Sequence, residues 1–403
     1  MIRIEDKAKC CGCGACASRC PKGCIRMVPD EEGFLYPRVD TTSCIDCGRC
    51  EDVCPEQEHS APRRPLQTLA AVCEDEALRL QSSSGGIFSL LAQAVLARGG
   101  VVFGARFDES WQVVIDHTET LEGLAAFRGS KYVQAAMGRA YADCAAFLKA
   151  GREVLFTGTP CQIAGLKAFL GCDYPRLTLV DVACVGVPSP GVWQDYLRSE
   201  VLKSAEDSTD GFPACVQEIC FRDKSQGWKD SRFVLKTKGG GEQSMPRYKN
   251  PFFQALNTGL ITRPGCYSCQ LKSQGRSGSD LTLADCWGVE QLVPSSHLND
   301  SRFQDDKGVS LVVVRSEKGA SLLKDLPLVG LECNYEKALA LNAGLRAGPH
   351  AAPHAGPRAG APSKAREAFF HAYQADKTQV GSLLKKAVMP PLYQKILNKL
   401  RSL

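Results

Sequence analysis

Apolar positions along the chain change period from segment to segment, and the changes mark elements. A short strand is expected over 68–73. The polar run 81–86 (QSSSGG) then opens a stretch in which Ile87, Leu90, Leu91, Ala94 and Val95 recur at helical spacing. Residues 99–117 alternate and read as a hairpin turning near Asp108, Glu109 and Ser110. The run REVLFTG (152–158) is apolar and short enough for a buried parallel strand. TGTPCQ follows as a tight loop, and IAGLKAFL as a helix closed by Gly171. LTLVDVAC (177–184) repeats the strand. Residues 218–245 alternate between turns, with Gly239, Gly240 and Gly241 as one of them, and predict antiparallel strands. SDLTLADCWGVE (279–290) and VSLVVVR (309–315) each predict a strand, the latter followed by a helix in EKGASLLKDL. Strand, small-residue loop and helix in succession place ligands at the carboxyl edge of a parallel sheet. Residues 343–362 are Ala/Gly/Pro-rich and read as a linker, in which His350 and His354 are not ligands. Residues 383–403 read as an amphipathic basic helix interrupted at Pro390 and Pro391.

In front of this pattern stands a stretch with almost no periodicity, and its chemistry is in its cysteines. Cys10, Cys13, Cys16 and Cys20, followed by Pro21, repeat as Cys44, Cys47, Cys50 and Cys54, followed by Pro55. Three close thiolates can hold three corners of a 4Fe-4S cube while the fourth crosses to the other cube. The spacing therefore assigns Cys10, Cys13, Cys16 and Cys54 to one cluster and Cys44, Cys47, Cys50 and Cys20 to the second. Zinc sites close at four ligands and rarely show such a tandem run. Cys11 and Cys24 fall outside the register and read as packing residues. The polar segment 56–67 reads as a linker, so removal of residues 1–60 is expected to leave the rest folded.

Composition narrows the setting. Among 403 residues, 44% hydrophobic and 23% charged, there are 21 cysteines, which without a signal-like N-terminus point to metal and redox chemistry in a reducing, cytoplasmic compartment. No run of eighteen apolar residues suggests a membrane span. Of the net charge of +5, residues 346–403 hold ten Lys or Arg against Glu367 and Asp376. This basic tail is a solvated face, or it docks an acidic partner such as a ferredoxin, or makes peripheral contact with an anionic membrane. No aromatic residues interleave with the charges as a nucleic-acid module would need.

Further candidates are scattered along the periodic part. The 81–86 run is a helix start that could seat a phosphate or simply cap the helix. Lys131, beside Gly129 and Ser130, could meet a cofactor phosphate or lie in an ordinary surface loop. Cys161 and Cys184 arrive at comparable strand ends, Cys266 and Cys269 form a CxxC, and one strand ends in Asp285 followed by Trp287.

In order, SSSGGIFSLLA, GSKYVQ, LFTGTPCQIAGLKAFL, VDVACVGVPSPGVW, RPGCYSCQ and SDLTLADCWGVE resemble the coenzyme F420 hydrogenase/dehydrogenase beta-subunit family over residues 68–345. The resemblance implies a small two-cluster ferredoxin domain (1–60), a mixed α/β flavin- and cluster-binding domain (68–345, in parts 68–148 and 149–345) and a helical C-terminal tail (346–403), an α+β and α/β chain. It implies FAD, which stores single electrons from clusters and releases two. Its pyrophosphate is expected near Ser83, Ser84, Gly85 and Gly86, with Lys131, Thr157, Gly158 and Thr159 as further contacts. Asp285 and Trp287 are expected to line the pocket, and Lys131 and Asp285 are the candidate catalytic groups. Cys161, Cys184, Cys266 and Cys269 are candidates for a third 4Fe-4S cluster, against the alternative of two small buried residues and a lone CxxC pair. The expected activity is an oxidoreductase passing electrons from ferredoxin-type clusters through FAD to a two-electron acceptor, a deazaflavin coenzyme or another unsaturated small molecule. The alternative is an electron-transfer subunit feeding a separate catalytic chain. Ferredoxin or another redox subunit is the expected partner. Val185 stands where many members carry a His, and Ala284 where Gly is common; if that His assists proton transfer in relatives, this chain needs another donor or has a different substrate.

Overall fold

The computed structural model describes residues 1–57, 61–204, 211–294, 299–346 and 363–389. Its head is a hairpin, β1 (Ile25–Pro29) and β2 (Leu35–Val39), flanked by the two cysteine runs. Both runs turn the chain at a glycine just after their second cysteine. Gly14 (φ +74°) and Gly48 (φ +76°) adopt the left-handed conformation that other residues resist, and each starts a short helix, Ala15–Arg19 and Arg49–Asp52.

The body is built on eight strands: β3 (Gln67–Cys73), β4 (Val101–Phe107), β5 (Val113–Thr118), β6 (Val154–Gly158), β7 (Leu177–Val182), β11 (Leu281–Asp285), β12 (Ser310–Val314) and β13 (Leu328–Glu332). Their order is β13-β3-β12-β11-β7-β6-β4-β5. β3, β11, β7, β6 and β4 run one way, so Cys73, Asp285, Val182, Gly158 and Phe107 end on a common edge. A second, antiparallel sheet orders β10 (Glu242–Pro246), β9 (Arg232–Thr237) and β8 (Val216–Asp223), as the alternation at 218–245 predicts.

Apolar residues on both faces explain why the central strands lack alternation. Phe103, Val154, Phe156 and Leu179 pack on one side with helices Ala140–Lys149 and Pro160–Leu170. Val102, Leu155 and Val180 pack on the other with helix Ile87–Ala97.

Two features differ from the sequence reading. The head is not a free appendage: Phe34, Tyr36 and Ala15 belong to the same core as Phe156, Trp193 and Phe370. Gly33 packs against Gly191 so closely that a Cβ would stand 2.6 Å from its Cα. Behind the Ala/Gly/Pro stretch, helices Lys364–Ala375 and Val380–Val388 bury Phe369, Phe370, Tyr373, Val380 and Leu384. Val380–Val388 packs on helices Pro251–Thr258 and Pro190–Ser204, and the Tyr373 hydroxyl donates to Asp195 at 2.7 Å. The tail's positive balance hid an apolar face that spans both helices. Pro390, Pro391, His350 and His354 lie outside the described residues.

Arg366 ties the tail to the head. Its guanidinium donates to both oxygens of Glu32, Oε1 at 2.9 Å, and through Nε to the Thr262 carbonyl at 3.0 Å. Breaking a buried pair leaves an uncompensated charge, at about 3–5 kcal/mol. Glu32→Ala is therefore expected to lose on that order of stability, read as a lower denaturant midpoint at unchanged slope, whereas loss of an exposed pair such as Lys236 with Glu218 would be nearly silent.

Candidate metal and cofactor centre

In the head the thiols fall into two groups that do not follow chain order. Cys10, Cys13 and Cys16 are buried, and burial pushes the Cys16 thiol up to about 12, with Cys10, Cys54 and Cys50 as its neighbours. Burial likewise raises Cys54, beside Cys10. The last cysteine of the second run thus sits with the first run. Cys20, Cys24, Cys44, Cys47 and Cys50 line one small cavity, so the last cysteine of the first run sits with the second. Cys24, read from the sequence as a packing residue, is a wall of that cavity with its Sγ 3.3 Å from that of Cys20. Cys47 is exposed, which makes this group the outer one.

A third group forms in the body. Cys161 lies in the first turn of Pro160–Leu170, Cys184 just beyond β7, and Cys266 and Cys269 around the turn Pro264–Tyr267. All four thiols are raised, Cys161 chiefly by its hydrogen bond with Cys11 and then by burial, the others by burial, Cys269 to about 12. Cys266 lies within electrostatic reach of the other three, and Cys269 within reach of Cys161 and Cys184. Lys272, 6% exposed, stands beside Cys184 and Cys269, and its amine has no hydrogen-bond partner. A buried ammonium without a counter-charge is unfavourable. Four neutral thiols do not supply one, whereas a cube held by four thiolates does, so the donor set and its cation fit a 4Fe-4S cluster. Among the described residues no three His, Cys, Asp or Glu close on one ion. A cube instead takes each thiolate at a separate iron. Cys11 bridges the inner head group and the body group, its buried thiol within hydrogen-bonding reach of Cys13 and Cys161.

The predicted flavin residues lie on the carboxyl edge of the sheet, in two places. Ser83 Oγ accepts from Ser130, N at 2.7 Å, which joins the 81–86 segment to the Lys131 loop. Ser84 Oγ donates to the Val309 carbonyl at 2.7 Å, and Gly85 N to Ser310 Oγ at 2.9 Å. Ser310 is the register partner of Asp285, so Asp285 belongs to the same place. Gly85 and Gly86 are required by packing: their Cβ atoms would stand 2.3 Å from the Ala71 carbonyl and 2.9 Å from Cys73 Cβ. Thr157, Gly158 and Thr159 lie apart from these. Thr157 Oγ1 donates to the Phe103 carbonyl at 2.8 Å, Thr159 caps the following helix with Gln162, and its Oγ1 lies 3.2 Å from Cys161 Sγ, on the side of the body thiols.

Residues the sequence reading passed over complete the first place. Asp285 accepts from buried Arg222 at 2.6 Å, and Trp287 stacks on Trp228 with centroids 4.4 Å apart. Arg222 has Tyr132 as a second polar neighbour, but its Nε and NH2 and Trp228 Nε1 are buried without a well-aligned acceptor, a donor set that suits an anionic or carbonyl-bearing ring. Lys224 donates to the carbonyls of Arg79, Ser84 and Lys307, clamping the 81–86 segment. Lys131 donates to the Ala126 and Arg128 carbonyls at 2.7 and 2.8 Å, and burial draws its ammonium down to about 7 with Cys220 opposing. An alternating strand at 218–223 signalled burial of one face. Nothing in that pattern marked Arg222 as the partner of Asp285, because strand pairing does not reveal contacts between sheets.

Residues 151–330 match the model for the C terminus of the coenzyme F420 hydrogenase/dehydrogenase beta subunit, and residues 9–57 that of the 4Fe-4S dicluster domain. Residues 151–330 are thus similar to the C-terminal domain of this beta-subunit family. The head of the chain is a 4Fe-4S dicluster domain. Among solved structures, one similar chain is from the xenon-derivatised F420-reducing [NiFe] hydrogenase complex of Methanosarcina barkeri. The two share 20% identity over 81% of this chain and 94% of that one, with a TM-score of 0.42. No curated protein matches. All four body thiols, Arg222, Asp285 and Trp287 lie inside the matched residues 151–330, whereas Ser83 to Gly86 and Lys131 precede them. Among the described residues no helix is long and apolar enough to cross a membrane.

Proposed function

We propose that the protein is an iron-sulfur flavoprotein oxidoreductase, in which the dicluster head delivers electrons through a third cluster to FAD and so to a two-electron acceptor. The observation that carries this reading is the sequence of thiol groups from surface to sheet edge. The outer group (Cys44, Cys47, Cys50, Cys20) adjoins the inner (Cys10, Cys13, Cys16, Cys54) through Cys50 and Cys16. The inner adjoins the body group (Cys161, Cys184, Cys266, Cys269) through Cys11. Such a row is a path for single electrons, and its exposed end at Cys47 suits a ferredoxin or another redox subunit in a reducing, cytoplasmic setting.

A flavin, when bound, would convert single electrons to pairs. Ser83 to Gly86, Arg222 and Trp287 would hold it, and Arg222, fixed by Asp285, would face its polar ring atoms. Thr157 to Thr159 would support the cluster end through Cys161. Lys131, whose ammonium loses its proton near neutrality, is suited to supply a proton in place of the His that Val185 replaces. The acceptor class is a deazaflavin coenzyme or another unsaturated small molecule. Anaerobically purified protein is expected to contain FAD near one per chain and to reduce such an acceptor with dithionite alone. Flavin-free protein, or reduction only after a second chain is added, would favour the electron-transfer subunit instead.

A further inference from the structure

Arg263 is fully buried, at 0% exposure, and the ionisable groups around it are thiols and a phenol, with no carboxylate paired to it among the described residues. Its Nε donates to the Cys10 carbonyl at 2.7 Å, NH1 to Gln134 Oε1 at 3.1 Å and NH2 to Cys10 Sγ at 3.4 Å. Its plane lies over Tyr36, 4.1 Å from the ring centroid. Two glycines admit it: a Cβ on Gly12 would stand 2.8 Å from NH1, and one on Gly265 3.0 Å from the Cys10 carbonyl. A guanidinium keeps its charge at any working pH, and burying one opposite neutral partners is strongly unfavourable. The one hydrogen-bond partner able to carry a compensating charge is the Cys10 sulfur, as a thiolate on iron.

Two effects compete at that sulfur. A 4Fe-4S cube with four thiolates is already anionic, and adding an electron to it is harder where solvent is excluded. Of the inner thiols Cys10, Cys13 and Cys16 are buried and Cys54 half-buried, while of the outer ones Cys50 is buried, Cys20 and Cys44 half-buried and Cys47 exposed. By burial alone the inner cluster would be the poorer acceptor, and an electron arriving at the surface would stay there. A cation hydrogen-bonded to a ligand sulfur in a medium of low dielectric acts the other way, because it stabilises the reduced cluster more than the oxidised one. Among the described residues no charged side chain hydrogen-bonds to an outer sulfur; the backbone N–H of Ile2 donates to Cys50 Sγ at 3.3 Å.

We propose that Arg263 is the positioning residue that lifts the inner cluster above the outer one, so that an electron moves from the surface towards the body. One electron leaves the reduced outer cluster and enters the inner; no bond forms or breaks and no proton moves. The proposal rests on the ligand sets given above.

The test is an anaerobic redox titration of the iron-loaded full-length chain, followed by electron paramagnetic resonance, with Cys47→Ser marking the outer signal. In the wild type the inner cluster is expected to be reduced first. In Arg263→Gln, at unchanged iron content, electron sharing should move at least tenfold towards the outer cluster, about 59 mV for a one-electron couple. Arg263→Lys, which keeps the charge, should move it less. If Arg263→Gln does not fold, the wild-type order and the Lys variant decide. An inner cluster below the outer in the wild type, or potentials unmoved by the Gln variant, overturns the proposal. A head that binds fewer than about eight irons, two cubes' worth, overturns the ligand sets as well.

Discussion

Deleting residues 1–60 is expected to leave an insoluble or unfolded remainder, in contrast to the separable head that the 56–67 segment suggests. The cut exposes the surface that Phe34, Tyr36 and Ala15 cover, and it removes the partners that hold Arg263 and Arg366 in place. Arg263 loses the Cys10 carbonyl and sulfur, and Arg366 loses Glu32. The loss is chiefly of apolar burial: the core residues that pack on the head are opened to water, and a typical domain has only about 5–15 kcal/mol of stability to lose. Expression of the truncated chain, assayed by circular dichroism and a thermal melt, checks it. A soluble product with a cooperative melt would show that the body folds without its head.

The second large effect is on iron. Reconstituted wild-type protein is expected to bind about twelve irons, three cubes, and the double variant Cys266→Ser with Cys269→Ser about eight. The argument rests on the convergence of Cys161, Cys184, Cys266 and Cys269 and on the buried, unpartnered amine of Lys272, which needs an anion beside it. A count of about eight in both proteins would leave that amine without a counter-charge and remove the third cluster from the proposed path. Because the head ligands are untouched, the eight remaining irons also report whether the body site can be emptied without disturbing the other two.

Much of this was legible along the chain. Apolar runs too short for helices and lacking alternation gave β6, β7, β11 and β12, because strands covered on both faces show that pattern. The cysteine spacing marked the head, since a cube fixes its ligands at short local intervals. Longer-range features were not legible. The charges of Arg263, Lys272 and Arg222 look like any solvated residues in sequence, and only the fold shows them buried against thiols or a carboxylate. The Phe369, Phe370 and Tyr373 face was hidden for a similar reason: net charge averages over a helix, whereas packing depends on one side of it. Cys11 and Cys24, outside the register, are buried in the core as packing residues are, and their nearness to the candidate ligands shows only in the fold.

The clasp between Glu32 and Arg366 joins groups 334 positions apart in the chain. During synthesis the head emerges early, but the residue that fastens it emerges more than three hundred residues later. Until then the helix that brings Phe370 to Phe34 does not exist, and Gly165, Arg263 and Gly265, which pack on Cys13 and Cys10, also emerge long after the head. Iron and sulfide therefore have a long interval in which to reach Cys10, Cys13 and Cys16 before the protein shuts around them. The same seal that protects the finished cluster makes its replacement in the mature protein a matter of partial unfolding.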